Sequence, residues 1–156
     1  MARRDHLNDP DAPLANSLKV AVSALVRDQR GRVLLIRRTD NGMYSIPGGG
    51  QELGETVAAA IVREVKEETG IDVVVTAILG VFSDPRHVIA YDNGEVRQEF
   101  SICFYANPIG GEPRPSSESD VVRWAAPEEL SSLDIHPSIM LRIVEGLNGR
   151  VEPYFT

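Results

Sequence analysis

The chain has 156 residues, enough for one domain, and its 42% hydrophobic and 25% charged residues match an ordinary soluble globular protein. Sixteen basic residues against 23 acidic ones give a formal charge of −7, which argues against the basic footprint of a general nucleic-acid or anionic-membrane binder. No apolar run is long enough to span a bilayer, the polar start is unlike a secretory signal, and a single cysteine, Cys103, points to a reducing, cytoplasmic setting.

Residues 1–16 are polar, carry Pro10 and Pro13, and read as an arm outside the core. Leu18–Val26 and Val33–Ile36 read as strands joined by a turn at Asp28–Gly31. Residues 39–54 hold Gly42, Gly48, Gly49, Gly50 and Gly54 with Pro47, and read as a loop with special backbone needs. Helical spacing runs from Thr56 to Thr69, where Gly70 is a natural stop. Ile71–Phe82 is strand-like and rich in valine. Residues 83–95 form a loop or short hairpin around Asp92-Asn-Gly94. Val96–Ala106 alternates, with Phe100, Ile102 and Phe104 on one side and Glu99, Ser101, Cys103 and Tyr105 on the other. Residues 107–119 are a long Pro/Gly/Ser loop of the kind that often carries function, and Val121–Ala125 is a short strand. Two helices follow, near 127–132 and 137–147, each with proline in its first turn. The order implies an α/β fold: one domain over 17–150, with a mixed β-sheet, helices on both faces and a short tail at 151–156.

Glu64, Glu67 and Glu68 stand at i, i+3 and i+4 of the predicted helix and therefore on one face. That face overlaps the direction of Val57, Ala60 and Ile61, so the glutamates lie against the body of the domain, whereas Lys66 points toward solvent. Like charges at this spacing cost a few tenths of a kcal/mol per pair, and a bound divalent cation reverses the sign. Gly48-Gly-Gly50 precedes the helix, where a backbone free of side chains lets a ligand come close.

Taken together, Gly49, Glu55, Arg63, Glu64, Val65, Glu67, Glu68, Gly70 and Ile71 fall at the spacing of the Nudix box, and all nine of its defined positions match. At background usage near 7% per residue, a chance match is below about one in a million. The chain thus resembles the Nudix hydrolases, the MutT-like family, over roughly residues 18–147. Tyr44-Ser-Ile-Pro47, the opening strands, Arg123-Trp124 and Pro127-Glu-Glu-Leu130 resemble the elements that flank the box. The resemblance implies an α/β/α sandwich and a pyrophosphohydrolase that cleaves a nucleoside diphosphate linked to a further group, using Mg²⁺ or Mn²⁺.

Carried over position by position, it implies that Glu64, Glu67, Glu68 and the Gly48 carbonyl hold the metal. It implies that Arg63 orients the glutamates, with Glu67 and Glu55 as partners, although Glu55 also suits the positive helix end. A carboxylate must accept the proton of the attacking water. The family uses either a box glutamate or an acid on a later loop: here Glu64, or Glu118, with Asp120 and Glu99 as neighbours that offer the same chemistry. Arg37 and Arg38 end a strand beside the glycines, and Arg38 matches a phosphate-contacting position, with Gly49 and Glu55 nearby on the substrate side. His136 aligns loosely with a base-contacting position, and Arg86, His87 and Tyr91 lie in the variable loop. Tyr44 and Trp124 read as packing residues and Cys103 as core.

The partner implied is a small nucleotide, with no general nucleic acid and no membrane, and a homodimer is compatible with the reading. Motifs of NADH-preferring and coenzyme A-specific members are absent, and Pro85 lies about two residues from the proline of ADP-ribose-preferring members. Nucleoside triphosphates and ADP-ribose-type sugars both stay open. The alternative is a non-catalytic nucleotide-binding module of the same family, from which metal-dependent turnover would separate it.

Overall fold

The computed structural model describes residues 2–156. In chain order they form β1 (Arg3–Leu7), β2 (Ser17–Leu18), β3 (Ala21–Val26), β4 (Val33–Arg38), β5 (Tyr44–Ser45) and β6 (Gly48–Gly50). Then come α1 (Val57–Thr69), β7 (Ile71–Phe82), β8 (His87–Tyr91), β9 (Val96–Gln98), β10 (Ser101–Gly111) and β11 (Ser119–Ala125). A 3-10 helix (Pro127–Ser132), α2 (Pro137–Leu147) and β12 (Tyr154–Phe155) complete the chain.

The strands pair in the orders β1-β8-β9-β2, β12-β7-β10-β3-β6 and β11-β4-β5. β10 runs parallel to β3 and antiparallel to β7, so the sheet is mixed, as expected. Alternation along the strands divides the core into two apolar layers. Val22, Ala24, Val26 and Leu34 pack with Ala60, Ile61 and Val65 of α1. Leu25, Val33 and Leu35 face the opposite layer, closed by Leu130 of the 3-10 helix and Ile143 of α2. Helices therefore cover both faces. Each fully buried side chain of this size contributes roughly 1.5–3 kcal/mol, so the two layers hold α1 and α2 in fixed register against the sheet.

Several segments differ from the sequence reading. Residues 3–7 are not a free arm: β1 pairs antiparallel with β8, from Arg3 opposite Tyr91 to Leu7 opposite His87. The tail also contributes, since Tyr154 and Phe155 pair with Gly80 and Val81. The expected strand 96–106 is two strands in different sheets: the Glu99 N–H still bonds to the His87 carbonyl at 2.9 Å, beside β8, whereas the Phe100 carbonyl accepts from the Ala21 N–H at 3.0 Å, beside β3. β10 runs on to Gly111, with Pro108 accommodated beside a register shift, so the expected 107–119 loop shrinks to a short connection. The helix at 127–132 is a 3-10 turn, capped by the Glu129 carboxylate on the Ala126 N–H at 3.0 Å. Lys66 points to solvent as expected, its side chain 42% exposed, and bonds there to Asp72 and the Gly70 carbonyl.

Candidate active site

The site is built on a glycine strand and on the helix that follows it. Thr56 caps α1, its hydroxyl accepting from the Ala59 N–H at 3.0 Å. Val57, Ala60, Ile61 and Val65 then bury one stripe against the sheet. The helix stops at Gly70, whose left-handed φ of 78° and closeness to the Glu112 carbonyl leave no room for a side chain.

This helix presents its glutamates unequally. Glu68 is 5% exposed, and its Oε2 accepts from the Gly48 N–H at 3.2 Å. The Glu64 carboxyl lies against Gly49, where a Cβ would stand 2.4 Å from its Cδ. Glu67 stays at the rim, 59% exposed. Helical spacing alone puts the three on one side; the position of β6 decides that only two are enclosed.

Arg63 ties this cluster together. Its guanidinium donates to both Glu55 oxygens at 2.9 and 2.7 Å, to Glu64 at 2.9 Å, to Glu67 at 3.3 Å and to the Gly50 carbonyl at 3.1 Å. Both partners expected for Arg63 are thus found on it. The bond from Arg63, with a second from the Glu52 N–H, holds the Glu55 carboxyl down at about 2.

The electrostatics of the enclosed pair run the other way. Burial pushes the Glu68 carboxyl up to about 8, against the Gly48 N–H and Arg38, while Glu64 and Glu118 add to the rise. Burial also raises Glu64, opposed by Arg63 and reinforced by Glu67 and Glu118. Glu68 has no cationic side chain within ion-pairing distance among the described residues. Two enclosed carboxylates with oxygen donors only, of which just Glu64 meets an arginine, fit a hard divalent cation.

A cavity of about 720 Å³ opens in front of the glycine strand, a size suited to a nucleotide. Gly48, Gly49, Glu55, Glu68, Arg38, Glu118 and His136 line it, whereas Arg37, Arg63, Glu64 and Glu67 do not. The Glu64 carboxyl stands next to Gly49, which does line the cavity. Arg38 forms a two-pronged pair with Asp40, at 2.9 and 2.6 Å, and stays on the cavity side. Arg37 points elsewhere and is locked on Asp120 at 2.9 and 2.8 Å.

The acidic neighbours separate on the same grounds. Asp120 is committed to Arg37, and Glu99 to the buried Arg142 at 3.0 Å. Glu118 lies on the cavity wall within the field of Glu64 and Glu68. Its backbone is fixed on both sides: its N–H donates to Ser116 Oγ at 3.2 Å and its carbonyl accepts from the Thr39 N–H at 3.1 Å. The next residue, Ser119, donates to the Glu68 carbonyl at 2.8 Å, so the turn bearing Glu118 is anchored to the last turn of α1.

Of the variable-loop residues, His87 and Tyr91 line the cavity, and Arg86 instead pairs with Asp84 outside it. Arg3 and Asp5 also reach the cavity. Composition gave no sign of them, because only the pairing of β1 with β8 brings them there. Tyr44 and Trp124 pack against the two core layers, and Cys103 is a buried free thiol. No helix among the described residues is long and apolar enough to cross a membrane.

Comparison with known proteins places this geometry. Residues 17–146 match the NUDIX domain family model. A MutT-like protein of Streptomyces ambofaciens is 38% identical over 130 residues, covering 83% of this chain and 77% of that protein. An ADP-ribose pyrophosphatase of Methanocaldococcus jannaschii is 39% identical over 134 residues, covering 83% and 75%. Among solved structures, a MutT NUDIX hydrolase from Burkholderia pseudomallei superposes with a TM-score of 0.68 at 26% identity, covering 83% of this chain and 98% of that one. With a domain match that begins at β2 and ends within α2, the chain belongs to the Nudix family of hydrolases.

Proposed function

We propose that this chain hydrolyses the pyrophosphate linkage of a nucleoside diphosphate bearing a further group, in a reaction that depends on Mg²⁺, with Mn²⁺ as a substitute. The observation that carries this reading is Glu68: a buried carboxylate without a cationic partner, beside Glu64 and on the wall of a nucleotide-sized cavity. Glu64, Glu67 and Glu68, with the Gly48 carbonyl, would hold the cation. When bound, it neutralises charge on the phosphate oxygens and lowers the pKa of the attacking water.

The chain's own residues supply the rest. Arg63 keeps Glu64 and Glu55 in place by its fan of hydrogen bonds. Gly49 keeps the wall thin enough for a phosphate to approach the Glu64 carboxyl. Arg38, already oriented by Asp40, offers positive charge to a phosphate oxygen. Glu118 accepts the water proton at its carboxylate; of Glu99, Glu118 and Asp120 it is the one not committed to an arginine. No covalent intermediate is required, since positioning and charge provide most of the catalysis.

Relatives named for ADP-ribose and for nucleoside triphosphates support the nucleotide class and leave two leaving groups. A panel of both with Mg²⁺, resolved by chromatography, tests the reading. ADP-ribose would give AMP and ribose 5-phosphate; a nucleoside triphosphate would give a nucleoside monophosphate and pyrophosphate. Binding of nucleotides without turnover of any would favour the non-catalytic module instead.

A further inference from the structure

Three side chains from distant parts of the chain meet on the cavity wall without involving any of the glutamates. Asp5 comes from β1, His87 from the start of β8, and His136 is the N-cap of α2. One donor atom of each lies within 4.8 Å of the other two. Asp5 belongs to a strand that precedes the family match at residue 17, so the cluster exists only because β1 folds back on β8.

The donor chemistry differs from that of the glutamate set. Two imidazole nitrogens and one carboxylate oxygen suit a borderline first-row ion such as Zn²⁺ or Co²⁺, whereas Mg²⁺ selects oxygen alone. Ligating groups are normally held from behind by outer hydrogen bonds. Here Arg3 holds the Asp5 carboxylate through Nη2 at 3.0 and 2.9 Å and through Nε at 3.3 Å, which leaves one lone pair on Oδ1. A carboxylate has about four lone-pair positions, so this grip leaves room for an ion.

The histidines are prepared in the same way. Their rings stack at 5.5 Å between centroids and 18° between planes. His87 Nε2 faces Asp5 Oδ1 at 3.0 Å, a contact whose proton an ion would displace. His136 Nδ1 sits 2.8 Å from Ser138 Oγ and 3.2 Å from the Ser138 N–H. An ion at Nε2 would require the ring proton on Nδ1, with Ser138 Oγ as its acceptor in place of the bond that Nδ1 accepts here from the Ser138 N–H.

We propose that Asp5, His87 and His136 form a second metal site, for a transition-metal ion of the zinc class, which fastens β1 to the start of α2. It does not rest on the hydrolase mechanism, because it uses none of the residues assigned to the chemistry there.

The test titrates Co²⁺, followed by visible absorption and calorimetry, into the full chain carrying Glu64→Gln and Glu68→Gln, with Mg²⁺ in excess. The proposal expects one Co²⁺ to bind, and Asp5→Asn or His136→Gln added to that background to weaken it at least about tenfold. His6→Gln, which removes the separate His6–Asp9 contact, should leave binding unchanged. His87→Gln should behave like the other two; because His87 is buried, Asp5→Asn and His136→Gln decide the matter if that variant does not fold. A second readout is thermal melting of the otherwise unmodified chain in Mg²⁺: Co²⁺ should raise its melting temperature, and should not raise that of His136→Gln. The proposal is overturned if no Co²⁺ binds in the glutamate-substituted background, if binding survives both Asp5→Asn and His136→Gln, or if His6→Gln abolishes it.

Discussion

Replacing Glu68 with Gln should remove a pH dependence of stability that the metal-free protein carries. Burial raises this carboxyl from 4.5 to about 8, so the folded chain keeps a proton that the unfolded chain has already released. Where the folded state binds more protons, stability falls as pH rises, here from about 4.5 until the group ionises near 8. Glu64, also raised, adds to the fall. His136 acts in the opposite sense: burial lowers it from 6.5, so its contribution grows with pH and is complete about one unit above that value. Glu55 and Asp5 are held low and are ionised in both states throughout this range. The interval from pH 6.5 to 8 is therefore dominated by the raised carboxylates, with an opposing contribution from His136 of at most about 0.4 kcal/mol. A single group titrating at about 8 costs about 1.5 kcal/mol across that interval. Urea denaturation in chelator at the two pH values measures it, and Glu68→Gln should lose most of the difference. The reasoning is refuted if the unmodified chain is equally or more stable at pH 8, or if the Gln variant keeps the full decline. Turnover of the same variant with Mg²⁺ should drop at least about a hundredfold, as when a charge-stabilising element is removed.

Glu118→Gln should lower kcat by about 10²–10⁴ with KM nearly unchanged, whereas Asp120→Asn should stay near normal because its carboxylate serves Arg37. Near-normal kcat for Glu118→Gln would transfer the proton to a box glutamate. Glu99→Gln should appear in denaturation as a loss of about 3–5 kcal/mol, since it strands the buried Arg142. Gly49→Ala, which drives a methyl into the Glu64 carboxyl, should weaken Mg²⁺ binding in calorimetry with little change in far-UV circular dichroism. Ser119→Ala should cost about 1–3 kcal/mol of stability by leaving the Glu68 carbonyl without its partner, and should lower kcat because the Glu118 turn is no longer tied to α1.

What the sequence disclosed depended on whether the physical cause was local. The helix from 57 to 69 was legible to within a residue because Thr56, the apolar stripe and Gly70 are all local signals. The glutamate triplet and Gly49 were legible for the same reason. The division of that triplet into two enclosed acids and one exposed was not, because β6 decides it and Gly48–Gly50 carries no side-chain pattern to mark it as a strand. Arg3–Leu7 looked like an arm because its residues are polar; it is a strand because backbone pairing to His87–Tyr91 and the Asp5–His87 contact span more than 80 positions. Alternation across 96–106 continued smoothly through a point where the chain changes sheet, since side-chain period says nothing about which neighbour the backbone meets. The proline-rich stretch after Ala106 reads as a loop because its residues are poor strand formers, yet β7 is long enough to pair with it as far as Gly111.

The central claim is a hydrolysis that needs a divalent cation at the Glu64–Glu68 cluster, and it is tested most directly by assaying the best nucleotide of the panel during a Mg²⁺ titration of chelator-treated protein. Turnover should be absent in excess chelator, return saturably with Mg²⁺ or Mn²⁺, and fail to return in Glu68→Gln. Full turnover in excess chelator, or a normal Mg²⁺ response in Glu68→Gln, would contradict it.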